Sequence, residues 1–392
     1  MSQHYLMANY GPRPITFVRG QGSFLFDDEG RDYVDFLCGI AVTSLGHANP
    51  AVTAAIAEQA ATLNHVSNLF GNELADSVAG TINDLINRGP LHADGQVFFS
   101  NSGTEANEAA FKLARRFHDG ARPKVVSTWN SFHGRTMASL AATGQPAKHV
   151  GFAPLPEGFS HVDFGDLSVM EEALRDPQVG AVLVEPIQGE GGIVVPSSDY
   201  LAGLRDLCDA AGALLIADEV QTGFGRTGDW FGSHHDGVLP DIITMAKSLG
   251  NGMPIGACWA RLDVASAFVP GDHGSTFGGQ PLALAAAKAT LAEMERIDAP
   301  SAARHAGEHL RSRLVGAPGV RAVRGRGLLL GAELDLPAGA VAAAGLATGV
   351  VLNAVRPDVL RLAPPINISR DDLDLGIDRL IAALTSAKEN HQ

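Results

Sequence analysis

The sequence predicts an α/β protein: one large, mostly parallel sheet with a smaller α+β companion. Three observations predict it. Between about residues 51 and 290, helical patterns alternate with short, unbroken apolar runs, as expected of parallel strands buried on both faces. After about residue 297 the pattern changes to a helix followed by glycine-split runs. Residues 1–50 hold short extended segments and too few apolar residues for a core of their own.

Each element follows from its local pattern. Short strands are predicted at 15–19 and 23–27. In the middle, apolar runs stand at 97–99, 124–128, 181–184, 214–217, 242–245 and 257–260, each predicted as a parallel strand. A helix is predicted at about 300–316, then strands at 320–324 and 328–334 split by Gly325 and Gly327. A further helix, two short strands and a closing helix at about 370–387 complete the chain. The expected division is a segment 1–50 packed with the small domain, a large ligand-binding domain 51–296 and a small α+β domain 297–392.

Composition narrows the function. The 392 residues include 45 glycines, which fits many tight turns and close approaches of backbone to a ligand. A formal charge of −14 disfavours nucleic acid and anionic membranes as partners. Cys38, Cys208 and Cys258 are widely spaced, without a C-x-x-C, so buried thiols are expected rather than disulfides or a metal site. The sequence shows no basic-then-apolar leader and no apolar stretch of membrane length, so the cytoplasm is the expected location.

In open α/β sheets, ligands bind at the carboxyl ends of the strands. After the run 214–217 stands Asp218, followed by Glu219, Val220 and Gln221. An acid ending a buried strand needs a cationic partner; a protonated heterocycle, a helix cap and a metal ligand all fit. After 242–245 stands Lys247, between apolar neighbours and before Gly250 and Gly252. An apolar setting depresses a lysine pKa and makes a better Schiff-base former; a loop lysine at the surface is the plainer alternative. Ser102, Gly103 and Thr104 follow the run 97–99 and open a helix. They fit either a phosphate cradle or an ordinary cap with Glu105.

Phe132 follows the run 124–128 and can stack on a flat ring or pack in the core, while Arg135 can grip a carboxylate or pair at the surface. The loop 185–192 carries Glu185, Glu190 and three glycines and forms either a site wall or a solvated turn. Arg361 lies in an apolar strand and needs an anion, either Glu190 or a substrate carboxylate. The polar loop 273–279 holds Ser275 and Thr276.

Taken together, these motifs resemble the class III (subgroup II, fold-type I) pyridoxal-phosphate-dependent aminotransferases over nearly the whole chain. The matching stretches are GIAVTSLGHANP (39–50), SNSGTEANEAAFKLAR (100–115), FHGRT (132–136), EPIQGEGG (185–192), ADEVQTGFGRTG (217–228), AKSLGNGMPIGA (246–257), HGSTFGGQP (273–281) and LRLAPP (360–365). The resemblance implies pyridoxal 5'-phosphate as cofactor and Lys247 as its Schiff-base residue. It puts Asp218 at the ring nitrogen, Gln221 on the phenolic side and Phe132 against the ring, with Glu219 and Val220 beside them. It gives the phosphate to Ser102, Gly103 and Thr104, and to Thr276 from a neighbouring subunit, hence a homodimer. Arg135 and Ser275 would contact an acylated substrate, Arg361 the α-carboxylate of glutamate, and Glu190 would gate that arginine.

The reaction implied is transfer of the terminal amino group of an acylated ornithine, N-acetylornithine first, to 2-oxoglutarate. N-succinylornithine, N-succinyl-diaminopimelate, ornithine and 4-aminobutyrate enzymes share these motifs, although Ile40 stands where ornithine enzymes tend to carry an aromatic residue. A nicotinamide-dependent oxidoreductase fits less well. The stretches 250–256 and 325–331 both place their final glycine one position late for the dinucleotide fingerprint. A non-catalytic relative would have lost Lys247 or Asp218, and both are present.

Overall fold

The computed structural model describes residues 5–11 and 13–390. Three strands lie near the start: β1 (Phe17–Gln21), β2 (Phe24–Asp27) and β3 (Asp32–Asp35). Seven lie in the middle: β4 (Gly95–Ser100), β5 (Lys124–Thr128), β6 (Phe159–Val162), β7 (Val179–Val184), β8 (Leu214–Asp218), β9 (Ile242–Met245) and β10 (Gly256–Arg261). Five close the chain: β11 (Val320–Arg326), β12 (Leu329–Leu334), β13 (Val350–Val351), β14 (Asn353–Arg356) and β15 (Val359–Leu362).

The seven middle strands form one sheet in the order β4-β10-β9-β8-β7-β5-β6. Its centre is parallel, β6, β5, β7, β8 and β9 all running the same way. Every residue of β7, β8 and β9 is buried, which is why these strands read as unbroken apolar runs. One expectation is corrected: the run 257–260, read as a parallel strand, lies in β10, which is antiparallel to both β9 and β4. An apolar run carries no signal of direction. Two strands, β3 and β6, also went unread; one begins and ends on aspartate and the other holds Ser160 and His161.

The ends of the chain meet in a small sheet, β1-β2-β3-β13, where β3 pairs in parallel with β13 through Val34 and Val350. A third sheet, β11-β12-β15-β14, carries Arg361. One continuous core joins these parts, running from Val34 and Phe36 through Ile243 and Trp259 to Leu362 and Leu384. Within it the Trp259 ring is fully buried, and its Nε1 donates to Asn83 Oδ1 at 3.0 Å, so the indole keeps its hydrogen bond.

Directly after β3 the backbone makes a left-handed turn, Cys38–Ala41, with φ of 51°, 61°, 70° and 59° in order. Left-handed backbone costs a residue with a Cβ about 1–2 kcal/mol, and three of these four have one. Asp35 holds the entrance: its Oδ1 accepts from the N–H of Leu37 (3.0 Å) and Cys38 (2.8 Å), and its Oδ2 lies 2.8 Å from His47 Nε2. Among the described residues no helix is long and apolar enough to cross a membrane. All three cysteines are buried and free, as expected.

The helix Ala299–Leu314 rests directly on the turn between β11 and β12. A Cβ at Gly307 would stand 1.9 Å from the Gly327 carbonyl oxygen, a backbone atom that cannot swing aside. Gly307→Ala is therefore expected to cost about 1–3 kcal/mol through overpacking. A thermal unfolding scan checks this; an unchanged midpoint would mean that the helix slides freely.

Candidate active site

Because the central strands are parallel, the loops after β5, β7, β8 and β9 all leave the sheet at one edge. There they line a cavity of about 380 Å³ with the start of the helix Gly103–Phe117 and with Val42 from just beyond the left-handed turn. That volume lies in the ordinary range for small-molecule pockets.

Two neighbouring strand ends supply the floor. In the β8–β9 ladder Asp218 pairs with Thr244, so Asp218 and Lys247 emerge side by side. The Asp218 carboxylate is 4% exposed and firmly held. Its Oδ2 lies 2.7 Å from His133 Nδ1 and accepts from Asn107 Nδ2 at 2.9 Å, while Oδ1 accepts from the Val220 N–H at 3.1 Å. Asn107 is fixed in turn by Thr244, whose hydroxyl donates to Asn107 Oδ1 at 2.7 Å. Four segments thus set the position of one carboxylate.

Lys247 is half-buried on the cavity floor. Burial, and next the positive charge of Arg361, bring its pKa down to about 8, against the pull of Glu190, Asp218 and Glu185. About a tenth of the amine is then neutral at pH 7, far more than for an ordinary lysine. Its backbone φ is 41°, also left-handed.

The walls add further groups. Ser102 caps the helix, accepting from Glu105 N at 3.3 Å, while Glu105 Oε2 reaches back to Asn101 N at 2.7 Å. The cap and the cavity wall are therefore the same feature, and helix-start N–H groups lack intrahelical acceptors. A Cβ at Gly103 would meet the Val220 side chain at 2.8 Å, so only glycine fits that close approach. The Phe132 ring has Arg135 and Lys148 cations 5.6 and 5.8 Å from its centroid. Glu185 accepts from Phe132 N (3.1 Å) and Gly189 N (3.2 Å), and burial pushes its pKa up to about 7. Arg361, 1% exposed, forms an ion pair with Glu190 and donates to Gln221 Oε1 at 3.1 Å and Asn353 Oδ1 at 2.7 Å. Burial works to raise the pKa of Glu190, but Arg361 outweighs it and holds the carboxyl below its usual range.

Of the residues singled out from sequence, Ser102, Gly103, Thr104, Phe132, Arg135, Glu190, Asp218, Val220, Gln221 and Lys247 line this cavity. Arg361 reaches it through Glu190 and Gln221. Three others lie elsewhere. Glu219 is turned into the protein, its carboxylate accepting from Thr222 and from the N–H groups of Gly232 and Ser233 at 2.8 Å. Ser275 sits behind Asn101, whose Nδ2 donates to its hydroxyl at 3.2 Å, and Thr276 is exposed.

Sequence reasoning gave no role to Asn107 or His133, and placed Glu185 only in a wall loop. The signals were weak but present: Asn107 follows Gly103 by one helical turn, and His133 and Glu185 each stand in a loop after an apolar run. Among the described residues no group of His, Cys, Asp and Glu is arranged to hold a metal ion.

Comparison with known proteins adds the family context. The family model described as aminotransferase class-III matches residues 5–384. An acetylornithine aminotransferase from Corynebacterium efficiens is 46% identical over 387 residues, covering 97% of this chain and 94% of that one. Among solved structures, the ornithine aminotransferase of Toxoplasma gondii matches with a TM-score of 0.93 and 35% identity, covering 98% of this chain and 94% of that one. The N-acetylornithine aminotransferase of Stenotrophomonas maltophilia matches with a TM-score of 0.84 and 35% identity, covering 97% and 98%.

The lowered Lys247 pKa is directly measurable. In ligand-free protein, labelling of Lys247 by an amine-directed reagent, followed by peptide mass spectrometry, is expected to rise with pH about a midpoint near 8. Arg361→Gln removes a neighbouring positive charge and is expected to move that midpoint upward. A wild-type midpoint at the ordinary lysine value of 10.5 contradicts the reading.

Proposed function

The chain belongs to the class-III aminotransferases, and within that family we propose that it transfers the terminal amino group of N2-acetyl-L-ornithine to 2-oxoglutarate, giving N-acetyl-L-glutamate 5-semialdehyde and L-glutamate, with pyridoxal 5'-phosphate as its cofactor. The observation that carries the chemistry is the pair on the cavity floor: a half-buried lysine of lowered pKa beside a buried, triply held aspartate, on adjacent strand ends. Full-length acetylornithine aminotransferase relatives support the substrate.

The residues fit the cofactor in four respects. The helix start at Ser102, Gly103 and Thr104 offers N–H groups, hydroxyls and a glycine where a Cβ would collide, as an anion cradle needs. Asp218 is a buried carboxylate suited to a protonated ring nitrogen. Phe132 offers an aromatic face, and Lys247 an amine able to form a Schiff base. Bound there, pyridoxal phosphate supplies a carbonyl that condenses with amines and a ring that accepts the electron pair left when a substrate carbon loses its proton.

The chain's own groups do the rest. Lys247 Nζ, as a free amine, would be the base that takes the proton from the substrate carbon and delivers it to the carbon that was the cofactor's carbonyl. The Asp218 carboxylate would face the ring nitrogen of the cofactor and stabilise its protonated form. Its bonds to His133 and Asn107 restrict it to one orientation, so it needs no reorganisation to do so. Arg361 accounts for two dissimilar substrates. Paired with Glu190 it is neutralised, which suits an acylated amine whose reacting end is uncharged in its amine form. A dicarboxylate such as 2-oxoglutarate can displace Glu190 and take the arginine bidentately. Arg135, exposed at the cavity rim, is placed to meet the carboxylate of the acylated substrate.

A homodimer forms part of this reading. Asn68 Nδ2 donates to the carbonyls of Ser275 (3.3 Å) and Gly278 (2.9 Å), joining the loop of Thr276 and exposed Phe277 to a segment with exposed Leu69 and Phe70. Such an apolar patch beside an exposed threonine suits a second copy that receives Thr276 at its phosphate. A cytoplasmic location also belongs to the proposal.

Single-turnover half-reactions test the substrate. N-acetylornithine is expected to convert the cofactor band faster than N-succinylornithine, ornithine or 4-aminobutyrate; faster conversion by ornithine or 4-aminobutyrate overturns the assignment. Lys247→Ala is expected to abolish transamination. Arg361→Ala is expected to slow the 2-oxoglutarate half by at least about tenfold more than the acetylornithine half, as loss of a charged bidentate contact implies. Equal losses in both halves would refute the gating role.

A further inference from the structure

Arg226 is an anomaly. Its side chain is 0% exposed, and burial alone brings its pKa down to about 10. Among the described residues it forms no ion pair, and its Nε has no hydrogen-bond partner. A buried guanidinium without a carboxylate is costly to keep. Nη1 donates to the carbonyls of Leu328 (3.2 Å) and Pro364 (2.6 Å), and Nη2 to Ser44 Oγ at 2.8 Å.

Ser44 Oγ lies 2.7 Å from Ser248 Oγ, which in turn lies 3.4 Å from the Ala41 carbonyl. Arginine only donates, so this end of the chain has a fixed polarity. The Ala41 carbonyl at the other end only accepts, so Ser248 gives it its one proton, and Ser44, which accepts from Arg226, is left to donate to Ser248. The chain runs one way, from a buried cation to a carbonyl. It ends on two strained pieces of backbone. Ala41 closes the left-handed turn, and Ser248 directly follows Lys247, whose φ is 41°. Asn251 clamps the same two segments, its Oδ1 accepting from Leu45 N at 2.8 Å and its Nδ2 donating to Gly46 O at 3.2 Å.

We propose that Arg226 is a positioning residue for Lys247, acting through the hydroxyls of Ser44 and Ser248. The unpaired charge keeps both hydroxyls pointing one way, and that orientation locks the lysine loop onto the N-terminal turn whose neighbour Val42 lines the cavity. The role of Lys247 here rests on the aminotransferase reading.

Ser248→Ala separates positioning from mere stapling, because every bond of Arg226 stays in place. The experiment compares wild type, Ser248→Ala, Arg226→Met and Arg226→Lys. Its readouts are thermal midpoint, kcat and KM for both substrates, hydrogen exchange over residues 247–250, and the pH midpoint of Lys247 labelling in ligand-free protein. Ser248→Ala is expected to keep a wild-type-like unfolding transition, exchange faster over 247–250 and label with a raised midpoint. Its kcat is expected to fall about tenfold with KM little changed, as a small misplacement of a reacting group implies. Arg226→Lys, which keeps a donor for Ser44, is expected to recover part of what Arg226→Met loses. If Arg226→Met does not fold, Ser248→Ala decides alone. Wild-type exchange, labelling and kcat in Ser248→Ala overturn the proposal and leave Arg226 a staple. Should the wild-type protein fail to transaminate, the function assignment falls, while exchange and labelling in ligand-free protein still decide the positioning.

Discussion

The pairing of β8 with β9 is the contact on which the site depends. In register, Asp218 stands opposite Thr244, and three residues later the second strand delivers Lys247. A slip of one residue in that ladder would turn every side chain of one strand to the other face. Asp218 and Thr244 are also joined through Asn107, which donates to one and accepts from the other. The helix that presents Ser102, Gly103 and Thr104 to the cavity is therefore pinned to the same two strands that carry the acid and the lysine. Sheet register, helix placement and carboxylate orientation are a single constraint.

Charge around Lys247 is balanced rather than neutral. Arg361 opposes its protonation, while Glu190, Asp218 and Glu185 favour it, and burial tips the sum toward the free amine. Because Arg361 and Glu190 are paired, a ligand that separates them changes the field at Lys247 as well as the shape of the wall. An anion that drew Arg361 away from Glu190 would thereby act on the protonation of Lys247 through the field alone.

Much of this was legible in sequence, for identifiable reasons. Strands buried on both faces must be apolar throughout, so β5, β7, β8 and β9 announced themselves, and the residues following each became candidates. Direction was not legible, and β10 was misread. Nor were contacts across the chain: that His133 and Asn107 would converge on Asp218 depends on tertiary packing that no local pattern encodes. Glu219 shows the converse limit. Adjacent in sequence to Asp218, it points to the other side, as neighbours in an extended chain do, and its carboxylate serves a separate turn. The left-handed turn at Cys38–Ala41 was hidden because the sequence places isoleucine and alanine where glycine would have marked it.

The pairing of β3 with β13 fixes an order of events when the chain is made. Val34 emerges early in synthesis, yet its partner Val350 comes from near the far end. Until that partner is made, β3 has an open edge, and Asp35, which restrains the left-handed turn, sits on a strand that is only half supported. The lysine loop and its aspartate belong to a sheet completed long before, with β10. A nascent or truncated chain ending short of Val350 would thus hold Lys247 and Asp218 without a firm wall from the N-terminal segment. Pairing β3 with β13 closes a long loop, the kind of contact that topology makes slow to form. The cavity wall at Val42 thus rests on a strand made far later in the chain than the turn it supports.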